Sequence, residues 1–113
     1  MVKYQIIFWR DIPVQVRIKE GRQRTNVALT DRFQQAVYRA AYRGKVIHGD
    51  AYLNEWQPSP WQSAAGTAAE IGRRLATELE AEYDDQRLDQ LARNKGYEPD
   101  RNETTSIEGT GQG

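Results

Sequence analysis

Between residues 2 and 29 apolar side chains recur at about every second position, the spacing of a strand that buries one face. Tyr4, Ile6 and Phe8 alternate with Lys3, Gln5 and, less cleanly, Ile7, which predicts a first strand over Val2 to Trp9. After Pro13, Val14, Val16 and Ile18 alternate with Gln15, Arg17 and Lys19, and Glu20-Gly21 supplies a tight turn before Thr25, Val27 and Leu29. The pattern predicts an antiparallel three-stranded meander with one apolar face and one face rich in Arg and Lys.

The period then lengthens. Thr30 suits an N-cap, Asp31 sits in the first turn where the helix dipole favours it, and Phe33, Ala36, Val37, Ala40 and Ala41 recur at helical spacing up to Gly44. A helix over Asp31 to Arg43 is expected. Ala51 to Trp56, after a Gly49-Asp50 turn, reads as a short fourth strand with Tyr52 and Trp56 on one face and Leu53 on the other. Two capping-box signatures follow, Ser59-Pro60-Trp61-Gln62 and Thr67-Ala68-Ala69-Glu70, and either can open the second helix. Its stripe is Ala68, Ile71, Leu75, Leu79 and Tyr83, continuing weakly through Leu88 and Leu91, with Glu78, Glu80, Glu82 and Asp84 crowding an end where the dipole disfavours acid. Past Glu98 the chain is polar and Gly-rich, the composition of a disordered tail.

The expected fold class is therefore α+β, an antiparallel sheet of three to four strands packed by two helices in the order βββαβα. One domain over residues 1–97 is followed by a tail over 98–113. A length of 113 residues supports one core and no second one.

Composition removes several kinds of chemistry. With no cysteine and one histidine, disulfides, thiolate zinc sites, iron–sulfur ligation and cysteine nucleophiles are excluded, and no metal or cofactor is expected. The apolar run Ile6 to Trp9 is far short of a membrane span, and no signal-like segment is recognised, so a cytoplasmic, membrane-free protein is expected. The net charge is zero, yet residues 1–50 carry 10 Lys/Arg against 4 Asp/Glu and residues 51–113 carry 6 against 12, giving +6 and −6. This asymmetry fits either a basic partner surface or attraction between the halves on folding.

Trp9-Arg10-Asp11-Ile12-Pro13 breaks the strand pattern and has two readings. As a structured connection, Asp11 makes an Asx-type turn, Pro13 holds Ile12 extended and Trp9 covers the core edge. As an exposed platform, Trp9 and Arg10 stack on and pair with an anionic or planar partner. Arg17, Lys19, Arg22 and Arg24 on the second hairpin form a solvated face or a phosphate-binding one, and overall neutrality weighs against nucleic acid. Tyr38, Tyr42, Tyr52, Trp56 and Trp61 cap the core rim or form an aromatic surface that a partner covers. His48, with Asp50 nearby, has no nucleophile or diagnostic carboxylate to act with, and Glu55 with Asp50 is equally unsupported as an acid/base pair. No catalytic residue is assigned.

Three motifs in order carry a resemblance: Trp9-Arg10-Asp11-Ile12-Pro13-Val14-Gln15-Val16, then Leu29-Thr30-Asp31-Arg32-Phe33-Gln34-Gln35-Ala36, then Asp50-Ala51-Tyr52-Leu53-Asn54-Glu55-Trp56. Over about residues 3–61 the chain resembles the small bacterial virulence factor domain family, with a basic hairpin between the first two motifs. Val14 stands where the family has a small residue, and Tyr38 to Tyr42 depart from its apolar helix centre. The family name records a phenotype rather than a reaction. Related domains attached to NifU-like segments and helical repeats imply an adaptor, and association with folate- and corrinoid-linked methyl transfer implies an accessory subunit.

The preferred expectation is a non-enzymatic interaction domain with a protein partner, presenting Trp9, Arg10, Asp11, Arg17, Arg22, Arg24, Arg32, Tyr52 and Trp56. The alternatives are the methyl-transfer accessory subunit and single-stranded nucleic-acid binding through the basic hairpin.

Overall fold

The structure, a computed structural model, describes residues 2–98. The tail expected to be disordered lies, from residue 99 on, outside the described residues. The elements run β1 (Val2–Trp9), β2 (Ile12–Glu20), β3 (Gln23–Ala28), α1 (Asp31–Arg43), α2 (Gly49–Leu53), β4 (Trp56–Pro58), β5 (Gln62–Ala64), α3 (Ala68–Glu82) and α4 (Asp85–Arg93). The antiparallel meander forms as expected, in the order β3-β2-β1, and α1 begins and ends where its spacing predicts. The α+β class stands, but the expected count of three to four strands and two helices is overturned by five strands and four helices among the described residues.

Each added element has a local cause. Beside β1, β4 pairs with Ile7–Trp9 and β5 with Val2–Tyr4, so two three-residue strands occupy the place of one. Pro58 and Pro60 flank the break, and proline has no N–H to give to a ladder. Ser59 fills the gap: its N–H donates to Ile6 O, its hydroxyl accepts from Ile6 N at 2.8 Å, and its carbonyl accepts from Gln5 Nε2. Ser59-Pro60 is thus a sheet-edge corner, and the second capping box is the one that forms, with Thr67 and Glu70 bonding each other's backbone N–H groups.

The expected strand over Ala51 to Trp56 is instead the short helix α2 leading into β4. Tyr52 and Trp56 are four apart, a spacing that shares one face in a helix and in a strand alike, so their pattern did not discriminate. The second long helix also breaks. Asp84, which reads as an ill-placed acid at a C-terminus, is the N-cap of α4 and accepts from Arg87 N.

In β1 the more buried positions are Val2, Gln5, Ile7 and Trp9, whereas Tyr4, Ile6 and Phe8, the expected apolar series, are only half-buried. A bulge between Ile7 and Phe8 shifts the register with β2. Helix α3 packs on β2 and β3 and α1 on β2 and α4. Gly72 permits the first contact: a Cβ there would lie 2.9 Å from Ile18 Cδ1 and from Val27 Cγ2. The core joins Trp9, Ile12, Val16 and Ile18 to Phe33, Val37, Ile71, Leu75, Leu88 and Leu91.

Candidate functional site

In the Trp9–Pro13 segment Trp9 lies in the core, and the Asp11 carboxylate reaches Glu98 N, far along the chain. Trp9 is fully buried, its indole N–H donates to Tyr52 O at 3.0 Å, and its ring lies 5.8 Å from that of Tyr52. The expectation of Trp9 as an exposed stacking platform is therefore corrected: the apolar ring is in the core, with its one polar atom satisfied there. Arg10 and Asp11 form a two-residue hairpin turn in which Arg10 has φ 54°, the left-handed region that disfavours a side chain.

Tertiary contacts hold this strained turn. The Arg10 guanidinium stacks on Trp9 and Tyr97, and Nη1 donates to Lys95 O at 2.8 Å. Its Nε lies 3.1 Å from Glu55 Oε1, near enough for an ion pair but not aligned as a hydrogen bond. Asp11 Oδ2 accepts from Glu98 N and Asp11 N donates to Gly96 O. Gly96 lets this approach happen, since a Cβ would come within 3.0 Å of the Trp9 ring. The turn clasps the chain beyond α4 to the sheet.

Arg32 is likewise engaged within the fold. Nη1 donates to Tyr83 O at 2.6 Å and Nη2 to Glu80 O at 2.7 Å, carbonyls at the C-terminal end of α3 that lack helical partners. Its ion pairs with Glu80 and Asp85 complete a clamp between α1 and the α3–α4 junction. Arg22 and Arg24 are exposed on the β2–β3 hairpin.

Arg17, Tyr52 and Trp56 do come together. A hollow of about 410 Å³ is lined by Ile7, Val14, Gln15, Arg17, Gln34 and Trp56. Tyr52 stands at its side, 6.1 Å from Trp56 with the rings edge to face. Burial pushes the Tyr52 hydroxyl up from its ordinary pKa, while a hydrogen bond with Gln34 acts the other way. Arg17 Nη1 donates to Gln5 Oε1, and the same buried glutamine donates to Ser59 O, so the guanidinium is positioned through the sheet. The hollow therefore offers a half-buried indole, a fixed cation and two amide side chains. Gln15 and Gln34, which no composition or charge signal marks, complete it.

A family model described as Virulence factor matches residues 7–92. The chain belongs to the virulence factor family. The match takes in every element that lines the hollow, and each of the three motif segments contributes to it: Val14 and Gln15, then Gln34, then Trp56. Among curated proteins, the uncharacterized protein YpgR of Bacillus subtilis (strain 168) is 29% identical over 90 residues, covering 80% of this chain and 22% of that protein. The virulence factor chain thus spans less than a quarter of that relative's length. No solved structure matches it. Among the described residues no group of His, Cys, Asp or Glu could hold a metal ion, and no helix is long and apolar enough to cross a membrane.

Proposed function

We propose that this virulence factor chain is a non-enzymatic adaptor that docks a protein segment in the hollow of Arg17, Gln15, Gln34, Tyr52 and Trp56. The observation that carries the reading is the placement of the Trp56 indole and the Arg17 guanidinium on one concave surface, 39 residues apart in sequence. Tryptophan and arginine are the side chains most enriched where binding energy concentrates, because each combines a broad apolar surface with directed polar atoms. An acidic segment with one apolar anchor fits this lining: a carboxylate faces Arg17, the anchor packs on Trp56, and backbone amides meet the two glutamines.

Selection from a random peptide library displayed on phage tests the reading. Carboxylate-bearing peptides with an apolar residue should be enriched by the wild-type chain and lost when Arg17→Ala and Trp56→Ala are introduced together. Enrichment no greater than on an unrelated domain, or unchanged by the double substitution, overturns it.

A further inference from the structure

A second concave surface lies where α1 and α4 both end. A groove of about 690 Å³ is lined by Arg39, Tyr42, Arg43, Lys45, Asp89 and Arg93, and a hollow of about 450 Å³ beside it shares Tyr42 and Lys45 and adds Ile47 and His48. Both volumes fall in the range of about 300–1,000 Å³ typical of ligand sites. Four cations meet one acid, and that acid is shared: Asp89 pairs with Arg39 at 3.0 Å and with Arg93 at 2.8 Å. Among the described residues Arg43 and Lys45 make no ion pair.

Two features go beyond a solvated helix end. Tyr42 is 74% exposed and Tyr38, one turn earlier, is 53% exposed. Next to Tyr42 lie guanidinium and ammonium groups, a setting that suits a ring with both a π-face and an attached anion better than a purely apolar side chain. Lys45 also has φ 60°. It occupies the position after the α1 C-cap in a Schellman turn, with its N–H on Tyr42 O and that of Val46 on Ala41 O, a place where glycine is strongly preferred. Lys45 is thus a lysine at a position where glycine is preferred, and it lines both hollows.

We propose that this groove binds single-stranded nucleic acid, with a base stacked on Tyr42 and phosphates neutralised by Arg43, Lys45 and the Asp89-tethered Arg39 and Arg93. The zero net charge of the chain, which weighs against nucleic acid for the molecule as a whole, does not set the field inside the groove. At physiological ionic strength a charge acts over about 8 Å, so the lining of the groove decides the local field. Exposed tyrosine supplies sequence-tolerant stacking.

Fluorescence anisotropy with a labelled oligouridine ten-mer is the test. Binding should weaken with salt at a log–log slope of about −2, the value for about three phosphates on a single strand. Arg43→Ala with Lys45→Ala should cut affinity at least tenfold and flatten that slope. Tyr42→Ala should cut it by about tenfold through lost stacking, whereas Tyr42→Phe should retain it. Lys45→Gly should raise the melting temperature while weakening binding, a combination that a purely structural lysine would not give.

Four results overturn the proposal: no saturable binding, affinity unchanged in the groove variants, equal affinity for a polyglutamate ten-mer measured on the Arg17→Ala, Trp56→Ala variant, or loss only on Arg22→Ala with Arg24→Ala in the β2–β3 hairpin. The third would assign the groove to acidic protein segments, and the fourth would move the site to the hairpin. Neither depends on the peptide hollow at Arg17, so failure of one reading leaves the other intact.

Discussion

The β1–β2 turn and the end of α1 both set cations beside aromatic rings, yet the two regions have opposite characters. At the turn, Arg10 lies against Trp9 and Tyr97 and its Nη1 is bound to a backbone carbonyl. At the end of α1, Arg43 and Lys45 stand beside an exposed Tyr42 in an open groove. The same residue types serve as mortar in one place and as an open surface in the other. What separates them is the availability of backbone carbonyls that need a donor and of a ring deep enough to shield the guanidinium. A cation near an aromatic in sequence is therefore no guide to which role it takes.

Substitutions can break this contrast, starting at the closed region. Trp9→Ala should destabilise the fold by about 3–5 kcal/mol, because it leaves a large cavity and strands Tyr52 O. Urea unfolding followed by far-ultraviolet circular dichroism measures this, and a loss below about 1 kcal/mol would mean that the indole is not core.

The Arg32 clamp gives an intermediate effect that depends on pH. Burial alone would raise the Glu80 pKa, but hydrogen bonds from the Thr30 N–H and hydroxyl and from Arg32 outweigh it and hold the carboxyl below its ordinary value. A depressed folded-state pKa means a stabilisation that is complete above the unfolded value, about 4.3 for glutamate, and is lost as pH falls through the folded value. Glu80→Gln should thus cost about 1 kcal/mol at pH 7, and the difference from wild type should shrink in melts taken below pH 4. A difference independent of pH would show that the carboxylate charge contributes nothing.

The smallest change is expected at the open groove. Arg43→Ala with Lys45→Ala should move stability by no more than about 0.5 kcal/mol per residue, the range for surface positions, in the same urea titration. A larger loss would make those cations structural and erase the contrast.

Legibility in the sequence follows the same division. The meander and α1 were readable because each has a single dominant period and clear stop signals, and Thr30 does occupy the N-cap position. Even there its side chain makes no cap bond and its hydroxyl donates to Glu80, a long-range partner that no local pattern encodes. The β4–β5 edge and α2 leave little signal for want of length, since three strand residues or five helical residues span only about one and a half repeats of their period. The α3–α4 break is hidden because the apolar stripe runs on from Leu79 through Tyr83 to Leu88 and Leu91. At the candidate site, Arg17, Tyr52 and Trp56 were marked by type, but their joining with Gln15 and Gln34 depends on the bulge in the first hairpin and on the packing of α1. Trp9 and Arg32 were singled out for the same chemical reasons and turned out to be internal ties.

The paired prolines at the sheet margin have one more outcome, which concerns the solution behaviour of the chain. An unpaired strand is a template on which a neighbouring molecule can add, and cells suppress such addition by shortening or interrupting margins. With Pro58 and Pro60 dividing that side into two three-residue pieces, it offers no continuous row of donors for a second chain to extend. The opposite margin, Gln23–Ala28, is six residues long and uninterrupted. Amyloid-like growth or strand exchange between copies, if forced by heat or high concentration, would therefore start along β3, and Arg24 is its only charged gatekeeper.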